Sequence, residues 1–359
     1  MKNTVALLVT SIILFSSSSC EKSSQSSSIV AKPSAKGEIG KVVMLVNDET
    51  YVHCREAITE VYQKQMPGMA GEEQYFKLNH CNEGGFTNYF KYNYNLSILY
   101  QQDKKDKLIA LVGSQFTDML DEKLAKGQSF FVLKDLFAKP QEVAIIMGAN
   151  QEEVRTNLLK NKDKILELAL ETERKTTIEL VIRDDKADDV FYGDMMKKYG
   201  YAFRTPANFK LSVRSDEFNG VNRIIGEKRT GMYLYDEDYV GDEQLTAEYI
   251  IKKRNSMLQK HLHGPDRPDS IPTYVTTDTA NVDLVMKEIT LNGYKAIEMR
   301  GWWAMANEFF GGPFVSYTIY CPTINKVVTI EGNVFAPSKK KQPLMRVIEL
   351  AATTFEARK

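Results

Sequence analysis

The run Lys41 to Val46 (KVVMLV) is apolar and β-branched, which predicts a strand. Tyr51, Cys54, Ile58 and Val61 then recur at intervals of three and four, predicting a helix capped by Asp48 and stopped by Met66-Pro67-Gly68. Tyr75 to His80 alternates Phe76, Leu78 and His80 on one face, and Leu96 to Tyr100 and Leu108 to Val112 read as further strands. A short helix over Phe116 to Leu124 follows, with strands at Ser129 to Leu133 and Glu142 to Met147. The capping box Asn150-x-x-Glu153 opens a long helix whose inner face carries Val154, Leu158, Ile165 and Leu168. Strands alternating with helices predict an N-terminal α/β sandwich over residues 39–183.

Asp184 to Asp189 (DDKADD) breaks and restarts the helix, which ends at Tyr199-Gly200, and the pattern then changes. FRTPANFKLSVRSD, VNRIIGEKR and GMYLYDE read as antiparallel strands, followed by a helix from Gln244 to Lys260. Strands at Val275 to Thr277, Val285 to Leu291, Lys295 to Trp303, Phe314 to Cys321 and Lys326 to Phe335 lead to a closing helix from Gln342 to Phe355. Residues 184–359 are therefore expected to form an antiparallel sheet flanked by helices, resembling the Mog1/PsbP-like sandwich in element order. The whole chain reads as α+β.

Composition narrows the functional classes. The chain has 359 residues, 43% hydrophobic and 26% charged, with 47 Lys+Arg against 47 Asp+Glu. That neutral balance lacks the basic stripe that displaces counterions from nucleic acid, so no nucleic-acid partner is expected. Four Cys without a C-x-x-C pair exclude a disulfide scaffold, a zinc ribbon and a thioredoxin motif.

The N-terminus gives an address. Met1-Lys2-Asn3 precedes an apolar run from Val5 to Phe15, too short to cross a bilayer, which takes about 20 residues, but of the form of a secretory signal. Cys20 after Ser18 and Ser19 resembles a bacterial lipobox, with Ser17 where an aliphatic residue is usual. Residues 1–19 are thus expected to be a lipoprotein signal peptide and Cys20 the lipidated residue, the other reading being an ordinary secretory signal cut among the serines. Residues 20–38 are rich in Ser, Lys and Pro and read as a flexible tether. Glu21 is not the Asp that retains lipoproteins in the inner membrane, so the expected place is the outer membrane, lipid-anchored and facing the periplasm.

The segments AKPQEV (138–143), GYAFRTPANFKL (200–211), EYIIKKRNSMLQKHLHGP (248–265), EMRGWWAMANEFFGGPFVSY (298–317) and VTIEGNVFAPSKKK (328–341) resemble a family of Bacteroidetes-type lipoproteins classed as a domain of unknown function. RGWW followed by GGPF is the most specific part. The resemblance implies the lipid anchor and a shared fold; it carries no reaction.

Candidate chemistry gathers in that segment. Arg300, Trp302, Trp303, Phe309, Phe310 and Phe314 surround one connection rich in Gly, a composition suited to holding an envelope protein or a glycan. The same tryptophans would equally serve to fill a core while Gly311-Gly312-Pro313 shapes the turn. Glu298 and Glu331 lie two strands apart and would form a glycosidase-like carboxylate pair if they shared a face. That is the basis of a second reading, an envelope hydrolase, beside the first, a non-catalytic binding or envelope-assembly protein. His53-Cys54 and His80-Cys81 are expected to be neighbours; Cys54–Cys81 suits a disulfide better than the two dipeptides suit zinc, since their spacing fits no closed zinc motif. Asp236, Glu237, Asp238, Asp242 and Glu243 lack the Gly and terminal Glu of an EF-hand. His261 and His263 end a helix among Lys252, Lys253, Arg254 and Lys260, where cations complement the dipole. With no G-x-S-x-G, P-loop, Rossmann fingerprint or H-E-x-x-H, neither a cofactor nor a metal is expected.

Overall fold

Val42 to Leu45 are buried on both sides, as a strand in the middle of a covered parallel sheet must be. This strand, β1 (Lys41–Leu45), organises the N-terminal half of a computed structural model that describes residues 32–182, 186–264 and 271–358. Cys20, the expected signal peptide over 1–19 and the tether as far as residue 31 lie outside the described residues. After β1 come α1 (Asp48–His53), α2 (Arg55–Tyr62), β2 (Lys77–Cys81), α3 (Asn88–Lys91) and β3 (Asn95–Gln101). Then follow α4 (Asp106–Val112), α5 (Ser114–Ala125), β4 (Phe130–Lys134), β5 (Glu142–Gly148), α6 (Gln151–Lys160) and α7 (Lys162–Val181). The sheet order is β2-β1-β3-β5-β4, with β4 antiparallel to its neighbour. Val42, Met44, Leu99 and Ile146 face α2, α6 and α7; Val43, Leu45, Ile98 and Ile145 face α4 and α5.

The second half opens with α8 (Lys186–Lys198) and β6 (Tyr201–Ala202), followed by β7 (Lys210–Arg214), β8 (Phe218–Ile225) and β9 (Lys228–Asp238). Next are α9 (Ala247–His261), β10 (Val275–Asp278), β11 (Val285–Leu291), β12 (Tyr294–Met305), β13 (Gly311–Cys321), β14 (Lys326–Phe335), α10 (Gln342–Ala352) and β15 (Glu356–Ala357). Strands β10-β12-β13-β14-β9-β8-β7 form an antiparallel sheet, with β11 also on β12, and β15 pairs with β6. Both faces of this sheet are covered. Val315, Tyr317, Ile330 and Met232 share a core with Met345 and Ile348 of α10 and Met195 of α8, whereas Met299, Trp303, Phe314 and Tyr235 share one with Ile250 and Leu258 of α9. The fold is α+β, as expected.

Several element boundaries differ from the sequence reading. Leu108–Val112 is the end of helix α4, not a strand; a five-residue apolar run carries no period of its own, and Asp106 in the first turn and Gly113 at φ 85° decide for helix. The helix through Cys54 breaks there into α1 and α2, and the long helix breaks at Asn161. Between Tyr201 and Arg214 only the ends are strand, Pro206 having no N–H for a ladder. The last helix stops at Ala352 so that Glu356–Ala357 can pair with β6. Within the expected tether, Pro33, Ala35 and Lys36 are held by backbone hydrogen bonds to Lys139, Tyr92 and Tyr94. No described helix is long and apolar enough to cross a membrane.

Helix α10 joins the halves, which belong to one compact unit from Lys32 onward. It packs on β13 and β14 and also meets α7. Its start is fixed from the first half by the buried carboxylate of Glu73, which accepts from Lys341 N at 2.8 Å and Gln342 N at 3.1 Å, supplying negative charge where the helix dipole favours it.

Candidate functional site

The β12–β13 hairpin is built from its register. Trp303 pairs with Gly312 and Ala304 with Gly311, and Met305 N donates to Phe310 O at 2.8 Å to close the turn, with Asn307 at φ 63°. The glycines serve the strands: a Cβ on Gly312 would lie 1.9 Å from Val334 O, and one on Gly311 2.8 Å from Trp303 O. They allow close approach of backbone to backbone, not of a ligand.

The six residues expected to form one binding surface do not lie together. Trp303 is buried in the α9-side core and its indole N–H donates to Val334 O at 3.3 Å. Phe314 is also buried there, with the Arg254 guanidinium 3.6 Å from its ring centroid. Arg300 is buried on the other face, and Trp302 is half-buried. Only the tip remains: Phe309 is 110% exposed and Phe310 44%, the latter resting on Phe335 with centroids 5.1 Å apart. Exposed Ile271 belongs to the neighbouring segment, tied to the turn by Asn307 Nδ2 donating to Pro272 O at 2.9 Å and Ala306 N donating to Tyr274 O at 2.8 Å.

Glu298 and Glu331 are not a pair. Glu298 stands opposite Tyr317, and Tyr317 opposite Ile330, so Glu331 is one residue out of that row and on the opposite face of the sheet. On the α9 face the fully buried Glu331 accepts from Arg254 Nη2 at 2.7 Å, and Arg254 Nη1 donates to Thr277 Oγ1 at 2.5 Å. Arg254 is thus a core residue of α9 and not one of the surface cations complementing its C-terminus. Burial pushes the Glu331 carboxyl up despite that partner.

On the α10 face a chain of charges runs from one half of the molecule to the other. Arg300 Nε and Nη2 donate to the two oxygens of Glu298 at 2.7 and 3.0 Å, and its Nη1 donates to Glu349 at 2.5 Å. Arg346 Nη1 donates to the other Glu349 oxygen at 3.0 Å, and its Nε donates to Glu173 of α7 at 2.9 Å. Glu173 also accepts from Gly40 N at 2.5 Å. Burial pushes the carboxyl of Glu173 up, beyond what Arg346 offsets. For Glu349 burial acts the same way, but Arg300 and Arg346 together outweigh it and hold the carboxyl below its ordinary value. The sequence reading missed this chain. Arg346 and Glu349 at i and i+3 were its one visible sign, since the partner on α7 lies 173 positions away.

Cys54 and Cys81 are free, so the expected disulfide is absent. The reason is topological. Cys54 lies in the core on the α2/α6 face of the parallel sheet, and Cys81, beside Leu45 in register, points to the α4/α5 face. Their thiols donate to Gln151 O and Met44 O, and burial raises them to about 11 and about 12. The histidines diverge too: His53 contacts Glu152 at 2.8 Å, and His80 stacks on Tyr51 at 3.9 Å. Among the described residues no group of three His, Cys, Asp or Glu is placed to hold a metal. In the acidic segment Glu237 takes Lys253 at 2.9 Å, Asp236 and Asp238 take Lys326, and Asp242 accepts from Tyr239. His261 stacks on Phe218 at 4.7 Å, and His263 Nδ1 contacts Gly264 O.

Comparison with known proteins gives two family matches. Residues 35–181 match a domain of unknown function (DUF8532), and residues 189–354 match another (DUF4837). Both halves resemble families of unknown function. No curated protein matches the chain. Among solved structures, a crystal structure of a protein from Bacteroides thetaiotaomicron aligns with 45% of this chain and 46% of its own, at 8% identity and a TM-score of 0.24, a likeness that carries no argument about fold or function.

Proposed function

We propose that the chain is a non-catalytic binding protein of the bacterial cell envelope, tethered to the outer membrane through a lipid on Cys20 and engaging a protein partner in the periplasm with the Phe309–Phe310 tip. The observation that carries this reading is the full exposure of Phe309 beside Phe310, at the end of a hairpin whose root is fixed by Trp303, Gly312 and Val334. Adjacent exposed aromatics on a rigid support are the usual anchors of protein interfaces, and uncovered they are a solubility liability. The state of the ionisable groups supports binding over catalysis: Glu173, Glu298, Glu331 and Glu349 are each held by a guanidinium, and burial keeps the thiols of Cys54, Cys81 and Cys321 protonated. The signal-like run before Cys20 and the resemblance to Bacteroidetes-type lipoproteins support the anchor. Metabolic labelling with a fatty-acid probe tests it. Cys20→Ala should lose the label and leave the membrane fraction, and a mutant labelled as well as the parent would end the proposal of an anchor at Cys20. Changing Phe309 and Phe310 together to Ser should leave labelling intact and abolish co-purification of the partner.

A further inference from the structure

One edge of the first sheet is rich in lysine. Strands β1, β2, β3 and β5 run parallel, so their first residues Lys41, Lys77, Asn95 and Glu142 lie along that edge, and antiparallel β4 ends there with Lys134 opposite Glu142. The segments leading into the strands are tied together at the same edge: Ala35 N donates to Lys139 O at 3.0 Å and Lys36 N to Tyr92 O at 2.8 Å. They add Lys36, Lys91 and Lys139 to it. A surface cavity of about 380 Å³ opens there, lined among others by Lys36, Lys41, Asn79, Asn88, Tyr89 and Tyr92. Tyr89 is 68% exposed and Tyr92 half-buried.

Carboxylates do not balance these lysines. Glu38, which also lines the cavity, is taken by Lys41 at 2.6 Å. Asp135 Oδ1 accepts from Gln141 N at 3.0 Å, and Glu142 accepts from Thr172 Oγ1 at 2.8 Å. Glu171 and Glu173 of neighbouring α7 are held by Arg174 and Arg346. Lys32 Nζ donates to Asp135 O, and Lys91 Nζ sits 4.9 Å from the ring centroid of Phe137. Among the described residues, Lys36, Lys77, Lys91, Lys134 and Lys139 have no carboxylate at ion-pair distance. These cations are spread along a strand edge and do not converge on one point, which suits a plane of negative charge better than a single bound anion.

We propose that this edge rests on an anionic phospholipid leaflet, with phosphate headgroups against Lys36, Lys91 and Lys139 and the ring of Tyr89 at headgroup depth. Lysines beside such a leaflet strengthen binding about fivefold each, and tyrosine is enriched at the level of the headgroups. The length of the chain agrees. Residues 20–31 span no more than about 40 Å when fully extended, and the compact unit begins at Lys32, whose neighbour Pro33 accepts from Lys139 N at 2.9 Å. A lipid on Cys20 would therefore keep this edge close to the membrane. That step rests on the proposed anchor; the unpaired lysines and the exposed ring do not.

Co-sedimentation with vesicles tests the contact, using the chain from residue 20 with Cys20→Ser so that no acyl group contributes and the compact unit from Lys32 is untouched. Binding to vesicles of phosphatidylethanolamine and phosphatidylglycerol is expected, weakening at high salt, with little binding to phosphatidylcholine alone. Lys36→Gln with Lys139→Gln, both at exposed positions, should weaken it about thirtyfold. Tyr89→Ser should weaken it about fivefold. Lys252→Gln with Lys260→Gln removes the same charge from α9, on the far face of the second sheet, and should leave binding unchanged, as should Phe309→Ser. Equal binding to the two kinds of vesicle, full binding by the Lys36 and Lys139 variant, or as large a loss in the α9 or Phe309 variant would each overturn the proposal. Acyl labelling at Cys20 is read separately, so failure of the anchor and failure of this contact are distinguishable.

Discussion

The ring of Phe310, at the exposed tip of the β12–β13 hairpin, rests on that of Phe335 at the end of β14, with 5.1 Å between centroids. That contact divides the two tip residues by role. Phe309→Ser, at a fully exposed position, should change stability by no more than about 0.5 kcal/mol. Phe310→Ala removes a half-covered ring and should cost about 1 kcal/mol. Urea unfolding of the two variants checks both figures; a loss of several kcal/mol at Phe309 would mean that it is covered in solution.

The root of the hairpin is expected to be intolerant. Gly312→Ala places a Cβ 1.9 Å from Val334 O, so backbone must move, and the cost should be about 1–3 kcal/mol or more. Gly193 in α8 has nothing within 4 Å of its Cβ position, and Gly193→Ala should instead stabilise by about 0.5–1 kcal/mol. Thermal unfolding should move in opposite directions for the two glycines.

Arg254 and Glu331 form a buried pair whose breakage is costlier than its removal. Arg254→Met alone should cost about 3–5 kcal/mol, and adding Glu331→Leu should recover much of that loss. The pair also carries a pH signature. Burial raises the folded-state value of Glu331, so its contribution is fully present below the unfolded value and is lost as pH rises through the folded one. Glu349 is depressed, so its contribution is present above the unfolded value and is lost as pH falls through the folded one. Stability measured against pH should lose the first of these phases in Glu331→Gln and the second in Glu349→Gln.

The cysteines should behave as core residues. With thiols raised to about 11 at Cys54 and about 12 at Cys81 and Cys321, a maleimide should label none of them in the folded protein and all three after unfolding without reductant. An unreduced mass two protons short would restore a bridge.

Periodicity made most of this architecture readable. The runs at Lys41, Glu142 and Phe314 are long or β-branched enough to name their own state, and the i, i+4 face of Val154 and Leu158 named a helix. Leu108–Val112 was too short to do so. The site residues were harder, because exposure depends on which face of a two-sided sheet a residue takes. Trp303 and Phe314 are as aromatic as Phe309 yet lie under α9, a cover that composition cannot reveal. Glu298 and Glu331 failed as a pair by a single step of register, and Cys54 and Cys81 by the thickness of one sheet. The Glu173–Arg346–Glu349–Arg300–Glu298 chain was invisible because its members are distant in sequence and individually ordinary.

Site-specific photo-crosslinking in cells tests the binding reading most directly. A benzoyl-phenylalanine placed at position 309 of the full chain should give a discrete higher-mass adduct on irradiation, and the same probe at exposed Val240, away from the hairpin, should not. No adduct at 309 beyond that seen at 240, in a protein shown to be folded and exported, would contradict the assignment of the hairpin tip as the surface by which this protein acts.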